Sequence, residues 1–335
     1  MGKPKGINQK GKYTALYKRL PKHLTFVQGI YSDLSKTVAN IVMMAGYDGT
    51  QPFAFSDYPQ LKPIVDRMFE GFRNSLETSI ITSTKIEWDR SNAVQDMLAD
   101  KCLKYYTHEI NREKYKKYYL TNNDAYRAFI TRKDHGMNLS KRVWNESKDL
   151  KKELESVISV AIEKGTSAVT LSKKISKYLR DFDKIQPDYK EKYGTAKDIS
   201  NCEYRSMRLA RSEINMSYRT AEQERWKQFD FVLGKEIKTS GNHPKDDMCD
   251  ILQGVYPKDF DWVGWHPQCR CYEVPILMNE AQFMGLEPAE PITDVPDNFK
   301  EWIVENEDRI EQARERGTEP HFVDDNMKYV RGYLE

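Results

Sequence analysis

Little in this chain can cross-link it or carry it through a membrane. Of 335 residues only five are Cys, an odd number, and Cys102 and Cys202 stand alone in helix-like surroundings. A disulfide framework is not expected, and a reducing cytoplasm is the default compartment. No apolar run approaches the roughly 18 residues a membrane span needs, so no membrane partner is expected. The first twenty residues are basic without an apolar stretch and do not read as a secretory signal. The phosphate loop G-x-x-x-x-G-K-[ST], the nucleophile elbow G-x-S-x-G and the zinc-protease pattern H-E-x-x-H are all missing, which removes three large enzyme classes.

Charge is plentiful instead. Charged residues make up 31% of the chain and hydrophobic ones 39%. That mixture supports a core under a large solvated surface and suits an elongated helical protein. The net charge is only +2, but it is segregated. Residues 1–25 hold seven Lys or Arg and no Asp or Glu, and residues 286–335 hold fourteen acidic against six basic residues. A basic front and an acidic tail point to different partners at the two ends.

Helical periodicity dominates. Residues 1–25 read as a flexible basic arm, and residues 26–60 as a helix followed by a loop. Pro63 to about Tyr119 reads as two long helices, the second running unbroken to its end. Within it, residues 101–119 interleave Tyr105, Tyr106, Tyr115, Tyr118 and Tyr119 with six Lys or Arg. Tyr can stack on bases and Lys can neutralise phosphates, so residues 1–25 and 101–119 are candidate DNA contacts. The alternative is an amphipathic helix with its Tyr face buried. Leu150, Leu154, Val157, Ile158, Ala161 and Ile162 form an apolar stripe that stops at Gly165. Thr166 or Ser167 can cap the next helix, which carries Leu171, Ile175 and Leu179. A third long helix spans about 195–229. Its Arg211 and Glu213 lie two apart and cannot face each other. Each is expected to pair elsewhere, bracing this helix against the small domain C-terminal to it.

After Gly234 the pattern changes. "KEIKTS" and "CRCYEVPI" read as strands around a loop-rich stretch. Three of the five Cys and two of the six His fall here, with His243, Asp246, Asp247, Cys249, Asp250, His266, Cys269 and Cys271 close together. Cys249, His266, Cys269 and Cys271 would supply the four N/S ligands that zinc prefers. Cys269 and Cys271 are separated by one residue, not two, so the set is no standard knuckle, but on a strand both would face one side. Buried thiols and a disulfide from Cys249 to Cys269 or Cys271 are the other readings. A nucleobase deaminase would need H-x-E followed by P-C-x-x-C, which is absent. His243, Asp247 and His266 could instead serve a metal-dependent nuclease or toxin-related enzyme.

The runs "VAIEKGTSAVTLSKKI", "LARSEINMSYRTA", "HPKDDMCDILQGVYP" and "WHPQCRCYEVPI", in this order, resemble the phage Mu F-like head morphogenesis family of minor head, or minor capsid, proteins. The resemblance covers about 143–280, and its most specific residues are Asp247, Cys249, Gly254 and "HPQCRC". It implies a virion component at the portal or inner capsid that meets the portal protein and the major capsid protein, assists head assembly or DNA delivery, and passes through the host cytoplasm during assembly. It implies no enzymatic core. Many relatives carry a second Cys three positions after the first, where this chain has Leu252.

The sequence therefore predicts a mainly α protein with a small α+β domain. The expected divisions are a basic arm (1–25), a helical domain (26–142), a head-morphogenesis domain (143–285) and an acidic helical tail (286–335). Structural zinc at Cys249, His266, Cys269 and Cys271 is the expected cofactor. Arg211, Glu213, His243, Asp247 and Gly254 are the expected structural or interaction residues.

Overall fold

The computed structural model describes residues 2–163, 165–195, 200–241, 247–267 and 269–334. It is mainly α, with one small three-stranded sheet towards the C-terminus. The chain forms two compact units, and neither is a continuous stretch. One gathers residues 1–19, 83–136 and 212–335, and the other residues 20–82 and 137–211. The sequential division expected from composition is thus replaced by an interleaved one.

Two long helices account for this. Gln9–Ala45 is a single helix of 37 residues. The expected flexible arm gives way to it because Tyr13, Leu16, Leu20 and Leu24 recur at helical spacing and all are buried. Lys62–Thr107 is one helix of 46 residues where two were expected. It ends before the Lys/Tyr stretch is complete, at His108, whose φ of 60° no right-handed helix can contain.

The second unit (20–82 and 137–211) is helical. Leu150–Ala161 and Ala168–Arg180 carry the expected stripe, and Leu150, Leu154, Val157, Ile158, Leu171 and Ile175 are wholly buried in one core. Ser167 caps the second of these helices by accepting the Thr170 N–H. Burying each large apolar side chain contributes about 1.5–3 kcal/mol.

The first unit contains the sheet. Its strands are β1 (Val232–Lys238), β2 (Gly254–Tyr256) and β3 (Tyr272–Leu277), in antiparallel order β2-β1-β3. Helix Cys202–Gln228 enters this unit from Ser212 onward. The sheet needs an apolar layer packed on its face, and the acidic tail completes that core. Tyr256, Phe260, Trp262 and Trp265 pack with Val295, Phe299, Ile303, Phe322 and Val330. The tail is therefore part of the fold and not an appendage: its acidic residues face solvent while every third or fourth residue is apolar. Gly254 is close-packed against the tail, since a Cβ there would lie 3.2 Å from Pro296 Cγ.

Charge is also buried in this unit. Lys235 of β1 and Glu273 of β3 are fully enclosed, with Nζ 3.3 Å from Oε2. Glu222 accepts from Tyr13 Oη at 2.6 Å and Gln95 Nε2 at 3.0 Å. Burial pushes its carboxyl up to about 8.

Candidate metal centres

Cys249, Cys269 and Cys271 arrive from two pieces of chain. Cys249 sits on the single-turn helix Met248–Ile251, and the other two lie in the segment just before β3. The expected strand placement of "CRC" is off by a few residues, yet the sulphurs still converge: all three lie within 4.8 Å of one another. Cys249 Sγ is 3.8 Å from Cys269 Sγ, and the three are free thiols, so the disulfide reading does not hold.

Arg219 fixes the segment that carries Cys269 and Cys271. Its guanidinium is wholly buried on helix Cys202–Gln228 and donates to the carbonyls of Val263 (2.7 Å), Cys269 (2.9 Å) and Cys271 (2.9 Å). It also lies over the Trp262 ring, 4.4 Å from the centroid. Gly264 is required beside it. Its φ is +128°, and a Cβ would fall 2.6 Å from Arg219 Nη1 and 3.1 Å from Cys269 Cβ.

The thiols share protons unequally. Hydrogen bonds from Cys249 and Cys271, helped by the Arg219 charge, hold the Cys269 thiol well below its ordinary value. Hydrogen bonds to Cys269 and Cys271 push the Cys249 thiol up. A cation bound here would displace the protons that remain on the sulphurs.

His266 joins this group through Cys249. Its Nδ1–H donates to the Pro267 carbonyl at 2.8 Å, which turns Nε2 inward. Nε2 lies 3.2 Å from Cys249 Sγ and 3.2 Å from Asp247 Oδ2. Asp247 precedes helix Met248–Ile251 in the N-cap position, yet its side chain makes no capping bond and turns to His266 instead. His266 thus groups with Asp247 and Cys249, while the three sulphurs form their own set sharing Cys249.

A third group is separate. Asp134, His135 and His321 also place their ligand atoms within 4.8 Å of one another. Both imidazole Nε2 atoms approach Asp134 Oδ1, at 3.4 Å from His135 and 3.3 Å from His321. No sequence reading pointed here, because 186 residues separate the two histidines and "KDHG" shows only a turn.

These three groups can chelate a divalent metal ion. They correct the expectation that the chain has no enzymatic centre. That expectation rested on missing contiguous motifs and on the family resemblance, and neither sees ligands assembled from segments as distant as those of Asp134 and His321.

Other expected residues fall outside these groups. Glu213 is buried and accepts two contacts from Arg132 Nη2, at 2.9 and 3.0 Å. Arg211 is partly exposed on the same helix. His243 and Asp246 lie outside the described residues. In the Lys/Tyr stretch, Tyr106 and Tyr118 are buried, and Tyr106 stacks on Phe283 at 4.2 Å. No family model, curated protein or solved structure matches the chain. The resemblance to head morphogenesis proteins rests on the sequence motifs alone.

Proposed function

We propose that this protein is a metal-dependent enzyme of the hydrolytic class, acting on phosphodiesters, with zinc on Cys249, Cys269 and Cys271. The carrying observation is that His266 groups with Asp247 and Cys249, and not with Cys269 and Cys271. Three protein ligands leave a fourth position, which is the pattern of catalytic zinc, whereas four ligands close the shell. Two sulphurs on one tetrahedral zinc sit about 3.8 Å apart at Zn–S distances of ~2.3 Å. The Cys249–Cys269 separation of 3.8 Å fits that spacing.

The chain's own groups handle the proton. His266 Nε2 takes a proton from water as the water oxygen bonds to phosphorus and the P–O ester bond breaks. The same proton then passes to the leaving alkoxide. The Pro267 carbonyl accepts from Nδ1–H and so fixes the imidazole, while Asp247 Oδ2 lies 3.2 Å from Nε2, the nitrogen that takes the proton, and can accept from it once it is protonated. A metal held by Cys249, Cys269 and Cys271 would act as a Lewis acid on the phosphoryl oxygen.

The test is cleavage of DNA and RNA by purified protein with zinc, manganese or magnesium. His266→Ala is expected to abolish cleavage and keep the zinc, and Cys269→Ser to lose both. Intact nucleic acid under every metal overturns the reading, as does zinc loss in His266→Ala.

One observation favours a second reading, a minor head protein of a phage or prophage. Asp247, Cys249, Gly254 and "HPQCRC", the most specific residues of that resemblance, are the residues of the thiol centre and its packing. On this reading His266 is the fourth ligand and the closed centre fastens the small sheet for contact with portal and capsid. Absence from both procapsids and mature particles overturns it.

A further inference from the structure

The Asp134/His135/His321 group lies in the first unit, apart from the thiol centre, and has the features of a site built for a ligand. Its ligands come from the turn after helix Asn123–Thr131 and from the start of helix His321–Asp324. His135 holds a φ of 47° and Gly136 a φ of 72°. A left-handed histidine is strained, and such strain collects at functional positions. It turns the imidazole back onto the carboxylate of its own neighbour. The two histidine rings sit 5.4 Å apart, tilted 31°, with Asp134 Oδ1 within 3.4 Å of both Nε2 atoms.

The group lines a cleft of about 520 Å³. Of the three Lys and Arg residues on its wall, Arg132, Lys133 and Lys227, two are ion-paired. Lys227 is held by Glu224 at 2.8 Å and Asp261 at 2.9 Å, and Arg132 by Glu213. Asp324 and Asp325 also line the cleft, and its Asp and Glu outnumber its Lys and Arg by six to three. The local field therefore favours a cation. Both imidazoles are about one-third exposed and Asp134 about one-eighth, at 34%, 32% and 13%. The group is open enough to load and sheltered enough to hold.

We propose that Asp134, His135 and His321 form a second metal site, for a first-row divalent cation such as zinc, manganese or iron(II). Two imidazoles and one carboxylate suit these ions better than calcium or magnesium, which prefer all-oxygen shells. Three ligands leave coordination positions facing the cleft, where a small anionic molecule could complete the shell.

Cobalt(II) is the probe, because thiolate ligation gives an intense charge-transfer band and imidazole–carboxylate ligation does not. Full-length wild-type protein is expected to bind two cobalt ions, one with the thiolate band and one without. His321→Gln and His135→Ala should each reduce the count to one and leave the thiolate band intact, with affinity at the second site falling more than about 100-fold. Cys269→Ser should do the reverse, keeping the thiolate-free ion. One cobalt in wild-type protein, or two in both histidine variants, overturns the proposal. The histidine variants change partly exposed side chains, and circular dichroism checks that they fold.

Discussion

The Nη2 atom of Arg219 lies 2.9 Å from the carbonyl oxygen of Cys271, and an equal distance from that of Cys269. One buried cation thus sets the spacing of two candidate metal ligands through their backbone. Arg219→Ala would leave three buried carbonyls short of their donor. The expected loss is about 3–5 kcal/mol of stability, read by urea denaturation, with metal content falling in the fraction that remains folded. Gly264→Ala should act in the same direction, since its methyl would strike Nη1. Unchanged stability in both variants would show that the guanidinium is not the strut.

Metal removal is the second prediction. A chelator should lower the melting temperature, and added zinc should restore it in proportion to the logarithm of free metal. The thiols Cys249, Cys269 and Cys271 are all buried. Their alkylation should be slow in the metal-loaded protein and fast after chelation.

The third concerns pH and the second unit. Burial pushes the Glu203 carboxyl from its ordinary 4.5 up to about 7, with Arg180 pulling weakly the other way. Glu153, which accepts the Cys202 N–H at 2.9 Å, is pushed to about 7 by the same cause. A carboxyl whose folded value exceeds its unfolded value holds its proton more tightly when folded. Its contribution is full below about 4.5 and is lost as pH rises through about 7. Glu203→Gln should flatten that decline and raise stability by roughly 1–3 kcal/mol at pH 8 relative to pH 5. Parallel urea curves at the two pH values, for variant and parent, check it.

The fourth concerns the Lys/Tyr stretch. Tyr106 is buried, stacks on Phe283, and donates to the Met278 carbonyl at 2.8 Å. Tyr106→Ala should cost about 3–5 kcal/mol, as aromatic truncations in cores do. A Lys116→Ala, Lys117→Ala pair should cost little stability, because these side chains are exposed. Any affinity for DNA through residues 101–119 should then follow the lysines, with a reduced salt dependence in that pair.

These contrasts show what was legible in the sequence. Leu150 through Ile162 and Leu171 through Leu179 were readable because an amphipathic helix repeats its apolar residues every three or four positions, and Ser167 because capping is a local bond. The Cys-rich stretch was readable because composition alone marks it. Residues 1–25 misled because their many lysines outweigh a sparse apolar stripe, although Tyr13 and Leu16 are wholly enclosed. The tail misled for the same reason, its fourteen acids hiding Phe299, Ile303 and Phe322. Asp134, His135 and His321 carried no signal, because nothing local relates residue 134 to residue 321. Arg219 was visible as a residue and invisible as a strut, since its partners are backbone carbonyls that every residue type possesses.

The interleaving of the two units has a consequence for how the chain is made. Tyr13 hydrogen-bonds Glu222 across 209 residues. At about 5–20 residues per second, the ribosome takes roughly 10–40 s to bring the second partner out after the first. During that interval residues 20–82 and 137–211 can already be present together, while the thiol centre and the aromatic core around Trp265 still await their last segments. The unit with the candidate metal ligands is therefore completed after the other one, and a chain stalled before Glu222 would present its first helix without the glutamate that Tyr13 meets.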